Sequence, residues 1–406
     1  MSRVCVVGGG TAGSEAAREA ARGGCEVTLI DPQAGQEPSF RSWPDLLGTG
    51  SGAQPRSLAS APPSSDILLC RATFIAPGKV MTSDGLCVEA DNIVLATGSR
   101  FERTLLASQQ RDGVFVLDGA SRYAELGWIM GGLDGVIVQG EGSRALQVAE
   151  RLAKKVAHVS LFIDGWQHPP PSPPVWKVVQ NVASRAGISF LKCPAAKVLG
   201  AGVLEAVVSG GRVLPCEALA LVPRREPRTV QGTPSLGSAG GFLVDSTLRT
   251  SAPSTFAAGG CAELSQGCNR FILDLEASTS ARIAGANASG RCFARRPMRA
   301  WGTTFFGLRW SCSESGSYAD ISAATSSVST EAAPDSACTI VYDKRSGRVV
   351  SLETLEEADA APPLPQSYLS YPATLRALAY GEVGGSSDIS LVSDTARAGL
   401  EQWSRY

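Results

Sequence analysis

The stretch "RVCVVGGGTAGSEAAREAARGGCEVTLID", Arg3 to Asp31, decides how this chain folds. A β-branched run breaks into three glycines, an alanine-rich stretch follows, and a second apolar run ends on an acid. Strand, glycine turn, helix and strand in that order make a βαβ unit. Gly8, Gly10 and Gly13 stand at GxGxxG spacing. The first glycine serves the tight turn, the second lets the backbone approach a pyrophosphate, and the third lets helix pack closely on strand. The helix N-terminus then faces the phosphate charge, with Thr11 and Ala12 at its mouth. Asp31, about twenty residues on, is placed to accept from ribose hydroxyls.

The pattern recurs in "DGVIVQGEGSRALQVAERLAKKVAHVSLFID", Asp134 to Asp164. Here Gly140, Gly142 and Ala145 hold the three positions, alanine being accepted at the third, and Asp164 ends the second strand. An acid there favours a free 2′-hydroxyl and repels a 2′-phosphate, which predicts NAD over NADP. Glu141 and Arg144 are polar intrusions in this turn.

Between the two units, "DILLCRATFIAPGKVMTSDGLCVEADNIVLATGSR" reads as a series of short strands after a Ser/Pro/Gly-rich loop, Ser51 to Ser65. "HPPPSPP", His168 to Pro174, reads as a stiff exposed connection. From about Met298 the composition changes: "TTFFGLRW" and "CTIVYDKRSGRVVSLETL" read as antiparallel strands, the latter pair turning at "KRSGR". The expected fold is α/β, with two Rossmann-like dinucleotide-binding domains and a C-terminal α+β domain. The expected boundaries are 1–115 and 227–297 for the first domain, 116–226 for a second inserted in it, and 298–406 for the third.

Composition narrows the partners. With a net charge of −1 and 18% charged residues over 406, the chain lacks the basic footprint of a nucleic-acid or anionic-membrane binder. "MSRVCVVGGG" is interrupted by glycine too early for a secretory signal, and no apolar run is long enough to span a bilayer. The expectation is a soluble, cytoplasmic protein with no integral membrane segment. Eleven cysteines without CxxC, and only two histidines, argue against a disulfide framework and a metal site.

Two dinucleotide units separated by "IVLATGSR" and followed by "TSAPSTFAAGGCAE" resemble the two-dinucleotide-binding-domain flavoproteins, the pyridine nucleotide-disulfide oxidoreductases. The resemblance covers nearly the whole chain. It implies FAD in the first domain beside Ala96, Thr97 and Gly98, NAD(H) in the second, and a third domain that makes a homodimer. The "GG" of "TFAAGGCAEL", Gly259 and Gly260, matches the family's second flavin motif. That motif ends in Gly-Asp, its acid bonding the flavin ribityl chain; here Gly260 stands in its place.

The departures concern the dithiol chemistry. "EPSFRSWPDLLG" carries Trp43 where a redox cysteine of the family would fall. Tyr371 replaces the histidine of a His-Pro-Thr segment in "YLSYPATLRAL", and Gln147 replaces a glutamate that pairs with a lysine beside the redox cysteines. Cysteines, lysine, glutamate and histidine are missing together, and the catalytic residues stay unassigned. Three readings remain: an FAD-dependent NADH oxidoreductase without the dithiol relay, passing electrons to a small-molecule or protein acceptor; a degenerate nucleotide-binding homologue acting as a structural or regulatory subunit; and a thiol-dependent reductase using Cys261 or Cys268.

Overall fold

A computed structural model describes residues 1–32, 65–103, 106, 111–166, 170–264, 274–294, 298–315, 325–333, 335–357, 375–380 and 390–404. Trp43, Cys268 and Tyr371 lie outside them. The chain divides into two compact units. The first takes its described residues from Met1–Ser39, Gln54–Glu102 and Arg225–Pro297, the second from Arg103–Arg224 and Met298–Tyr406.

In the first unit the expected βαβ forms as read: strand Arg3–Val7, helix Thr11–Arg22, strand Glu26–Ile30. They belong to a parallel five-stranded sheet ordered Thr255–Ala257, Asn92–Leu95, Arg3–Val7, Glu26–Ile30, Ser65–Leu68. Strands buried on both faces read as continuous apolar runs, as "VCVV" and "NIVL" do. The alanines of the first helix, Ala16, Ala17 and Ala20, are fully buried. They let the helix Asp274–Ala288 come close enough that a Cβ on Gly285 would stand 2.4 Å from the Ala16 carbonyl oxygen. Arg282 to Glu15 at 2.7 Å and Arg291 to Glu19 at 2.7 Å fasten the margins of that contact.

In the second unit, strand Gly135–Gly140, helix Gly142–Ala153 and strand His158–Ile163 repeat the pattern. Their parallel sheet runs Ile188–Phe190, His158–Ile163, Gly135–Gly140, Ala218–Val222, Val114–Val116. Ala145, Leu146, Val148, Ala149 and Leu152 form the buried stripe of the helix, at the spacing a helix needs to cover a sheet. The same unit holds a five-stranded antiparallel sheet, Met298–Phe305, Leu308–Ser315, Val349–Glu357, Ser336–Asp343, Thr325–Ala333. Helices Leu375–Ala379 and Ser390–Trp403 share its core through Leu375, Leu378, Val392 and Ala396. The "KRSGR" turn is held by the Asp343 carboxylate, which accepts from the N–H groups of Arg345 at 3.0 Å and Ser346 at 2.8 Å.

One expectation needs correcting. "HPPPSPP" is not all connection: Ser172 is the N-cap and Pro173 the first residue of a helix running to Arg185. Proline is tolerated there because the first N–H of a helix has no intrahelical acceptor to lose.

Candidate functional site

The first glycine turn is built by mutual contact. A Cβ on Gly8 would stand 2.2 Å from the Ala96 carbonyl oxygen and one on Gly13 would stand 1.7 Å from that of Gly8. Strand end, helix and the Ala96–Gly98 stretch therefore approach at distances only glycine permits. Gly8 has φ +106° and Gly98 φ +72°, both in the region that disfavours side chains. Gly9 N–H donates to the Asp31 carboxylate, which fixes the acid at the mouth of the turn.

The helix that starts here has no side-chain cap. Ser14 N–H is the first to close an intrahelical bond, to Gly10 at 2.9 Å. Among the described residues, none accepts from the N–H groups of Thr11, Ala12 and Gly13. No described residue lies within 4 Å of where a Cβ on Gly10 would be. Three donors, the helix dipole and the side-chain-free backbone at Gly10 make a cradle that fits a pyrophosphate.

The stretch around Gly259 and Gly260 joins the same place. Gly259 opens a short 3₁₀ turn, Gly259–Cys261, at φ +69°, and a Cβ there would stand 2.7 Å from the Cβ of Ala12. Gly260 is different: its Cβ would meet Ser99 Cβ at 3.4 Å and Gly98 at 3.5 Å, ordinary contact, without a positive φ. Gly8, Gly10, Thr11, Ala12, Gly13, Asp31, Ala96, Thr97, Gly98, Gly259 and Gly260 thus converge, although they come from segments separated by more than two hundred residues in the chain.

Cys261 is sealed behind this place. It is fully buried, its Sγ lying 3.4 Å from the carbonyl oxygens of Leu95 and Ala258. Burial pushes its thiol pKa up, with contacts from Thr97 and Gly98 opposing. A raised pKa and no solvent access describe an inert thiol. Glu263 is buried too, and its carboxylate accepts from Ala239 N–H at 3.0 Å and Gly241 N–H at 3.1 Å, pinning a loop. Among the described residues no group of His, Cys, Asp or Glu forms a metal site.

The second glycine turn is assembled alike but finished differently. Gly140, at φ +149°, presses on Val222, and Ala145 is fully buried. Its helix is capped from within: the buried Glu141 carboxylate accepts from Arg144 N–H at 3.3 Å and lies 3.4 Å from Ser143 Oγ. Gly142 N–H donates to the Gly165 carbonyl at 2.9 Å, and the six-membered ring of Trp166 covers Gly142. The Arg144 guanidinium donates to Tyr123 Oη at 2.7 Å and Pro223 O at 3.2 Å. Asp164 is exposed at the end of its strand, its N–H bonded to Gly140 at 2.8 Å. Gln147 donates to Thr303 Oγ1 at 2.9 Å and Thr304 O at 3.2 Å.

Glu141 was legible as an anomaly in the turn. Sequence reasoning misses Trp166, which in "DGWQHPPP" belongs to no motif of the turn.

Comparison with known proteins bears on the whole arrangement. No curated protein matches the chain in sequence. Among solved structures it is similar to a water-forming NADH oxidase from Lactobacillus brevis, with TM-score 0.81, 16% identity and coverage of 100% of this chain and 99% of that one. A NAD-dependent persulfide reductase from A. fulgidus matches with TM-score 0.78, 19% identity, 99% and 84% coverage. A ferredoxin reductase from Rhodopseudomonas palustris matches with TM-score 0.70, 20% identity, 87% and 91% coverage. Identities this low speak to the fold, and they agree with the two parallel sheets and glycine turns described above. The family model of the pyridine nucleotide-disulphide oxidoreductases matches residues 2–288, well over half of the chain, and the protein belongs to that family.

Proposed function

We propose that the protein is an FAD-dependent NADH oxidoreductase that works without a redox-active disulfide. The observation that carries this reading is the uncapped helix mouth at Thr11 to Gly13, facing Asp31, Ala96–Gly98 and Gly259. Bound there, a flavin would take a hydride from reduced nicotinamide and hand electrons to an acceptor, chemistry the cofactors themselves carry. The chain's part is to bind and orient. The N–H groups of Thr11, Ala12 and Gly13 would hold the pyrophosphate, Asp31 the ribose, and the backbone of Ala96–Gly98 and Gly259–Gly260 the rest of the cofactor. In the second domain Gly140, Gly142, Ala145 and Asp164 would serve NAD(H), with Asp164 disfavouring a 2′-phosphate.

The acceptor is a small molecule or a redox protein; a ferredoxin reductase and a putidaredoxin reductase joined to putidaredoxin, among the structurally similar chains, support the second option. The domains at 1–115, 116–226, 227–297 and 298–406 and a homodimer through the last of them complete the proposal. The test is the visible spectrum of the purified protein before and after NADH without air. A yellow protein that bleaches supports the reading. A colourless protein that FAD cannot reconstitute overturns it.

Two observations favour a second reading, a nucleotide-binding homologue acting as a non-catalytic subunit. The self-capped second turn and Gly260 in place of an acid both subtract from cofactor binding. The same spectrum separates the two.

A further inference from the structure

The two glycine turns share a backbone plan and differ in what stands before the helix. At the first, no described residue accepts from the three N–H groups, and none lies within 4 Å of where a Cβ on Gly10 would be. At the second, two donors of the helix mouth are taken by the protein itself: Gly142 N–H by the Gly165 carbonyl at 2.9 Å, Arg144 N–H by the Glu141 carboxylate at 3.3 Å. Carbons Cε3, Cδ2 and Cζ3 of Trp166 stand 2.2, 2.4 and 2.5 Å from where a Cβ on Gly142 would be. The second glycine of such a turn is free of a side chain so that a pyrophosphate can approach the backbone. The indole occupies that approach.

We infer that Trp166 is a built-in plug of the second dinucleotide site, which a pyridine dinucleotide must displace to bind. This rests on the NADH reading above and adds a closed resting state to it. The ring is held edge-on between Trp176, centroids 5.8 Å apart, and Trp310, centroids 5.5 Å apart. Trp310 is itself anchored, its Nε1 donating to Glu353 Oε1 at 2.8 Å, and Glu353 also accepts from Ser172 N–H at 3.1 Å. These contacts select the closed position. Two features allow departure: Trp166 is only half-buried, and it follows Gly165, at φ +104°, whose lack of a side chain leaves both positive and negative φ open to it. Ligand affinity measured on such a protein is the intrinsic affinity reduced by the open fraction. A site closed about nine-tenths of the time binds roughly tenfold more weakly than an open one.

The test is direct NADH binding, by calorimetry on the purified full chain, for wild type and W166A, together with ¹⁹F spectra of 5-fluorotryptophan-labelled wild type. The resonance that disappears in W166F belongs to Trp166. Expected are about tenfold tighter NADH binding by W166A and a shift of the Trp166 resonance as NADH saturates the wild type. NADH binding equally well to both proteins, or saturating the wild type with that resonance unmoved, overturns the plug and leaves the NADH reading standing. If neither protein binds NADH, the plug and the NADH reading fall together. Should W166A not fold, the ¹⁹F shift in the wild type decides alone.

Discussion

A Cβ on Gly259 would stand 2.7 Å from the Cβ of Ala12, while one on its neighbour Gly260 would touch no described residue closer than 3.4 Å. The two glycines of "TFAAGGCAEL" are therefore unequal. Gly259 is required by its φ of +69° and by the helix it presses on; Gly260 stands where a side chain fits. G260D is expected to raise FAD affinity roughly tenfold, in line with one charged acceptor gained, about 0.5–3 kcal/mol. G259A is expected to lose flavin. Flavin fluorescence on titration into apoprotein measures both, and unchanged affinity in G260D would remove the missing acid from the account.

Gly13 stands against the Gly8 carbonyl with no room for a methyl group, the Cβ position lying 1.7 Å from that oxygen. G13A must push the first helix off its strand and so misplace the donors of Thr11 and Ala12. The expected result is loss of FAD retention through gel filtration, with a stability cost of about 1–3 kcal/mol, the usual range for overpacking. G10A, at a position with open space, is expected to fold normally.

Glu141 caps the helix Gly142–Ala153 through Arg144 N–H. Removing an N-cap acceptor costs about 0.5–2 kcal/mol. E141A is expected to lower the urea midpoint accordingly, and E141Q, which keeps an acceptor oxygen, to recover most of the loss.

The buried thiol of Cys261, its pKa pushed up by desolvation, is expected to take no part in electron transfer. NADH-driven flavin bleaching in C261A should match the wild type in stopped-flow traces. Cys5 and Cys338, whose thiols burial pushes up to about 12, should resist alkylation in the native protein at pH 8 while the exposed Cys87, Cys193 and Cys292 react. Peptide mapping after labelling checks this.

Glu356, paired across the sheet with Arg309, has its carboxyl pKa raised by burial, with the Arg309 charge opposing. A carboxyl that holds its proton more tightly when folded stabilises the native state at low pH. That contribution is complete below the ordinary glutamate value and is lost as pH rises through the raised native value. E356Q should flatten the decline of the melting temperature across that window, and an unchanged slope would contradict the assignment.

Much of this was legible because glycine spacing and apolar periodicity are local. "RVCVVGGGTAG" dictates strand, turn and helix within a dozen residues, and the recurrence at Gly140 and Gly142 follows the same rule. The family match over residues 2–288 agrees with the resemblance drawn from those motifs. What stayed hidden depends on contacts between distant segments. Nothing near Gly8 announces that Ala96 closes against it, and nothing near Gly142 announces an indole arriving from position 166. The prolines of "HPPPSPP" misled for a related reason: their restriction suits a loop and a helix start equally, and only the packing of Val175, Val178 and Val179 decides.

The strand Thr255–Ala257 lies against Asn92–Leu95, and the helix Asp274–Ala288 against the first helix. The cradle at Thr11 to Gly13 is therefore made early by the ribosome but finished late. During synthesis the amino-terminal half-sheet must wait, apolar edge unpaired, while the intervening segment emerges and can fold on its own strands. Long-range pairing of this kind is slow to form. Truncation before residue 255 should accordingly give chains that aggregate and recover no flavin, whereas the parallel sheet of the inserted segment, Val114 to Val222, finds all its strands within that segment.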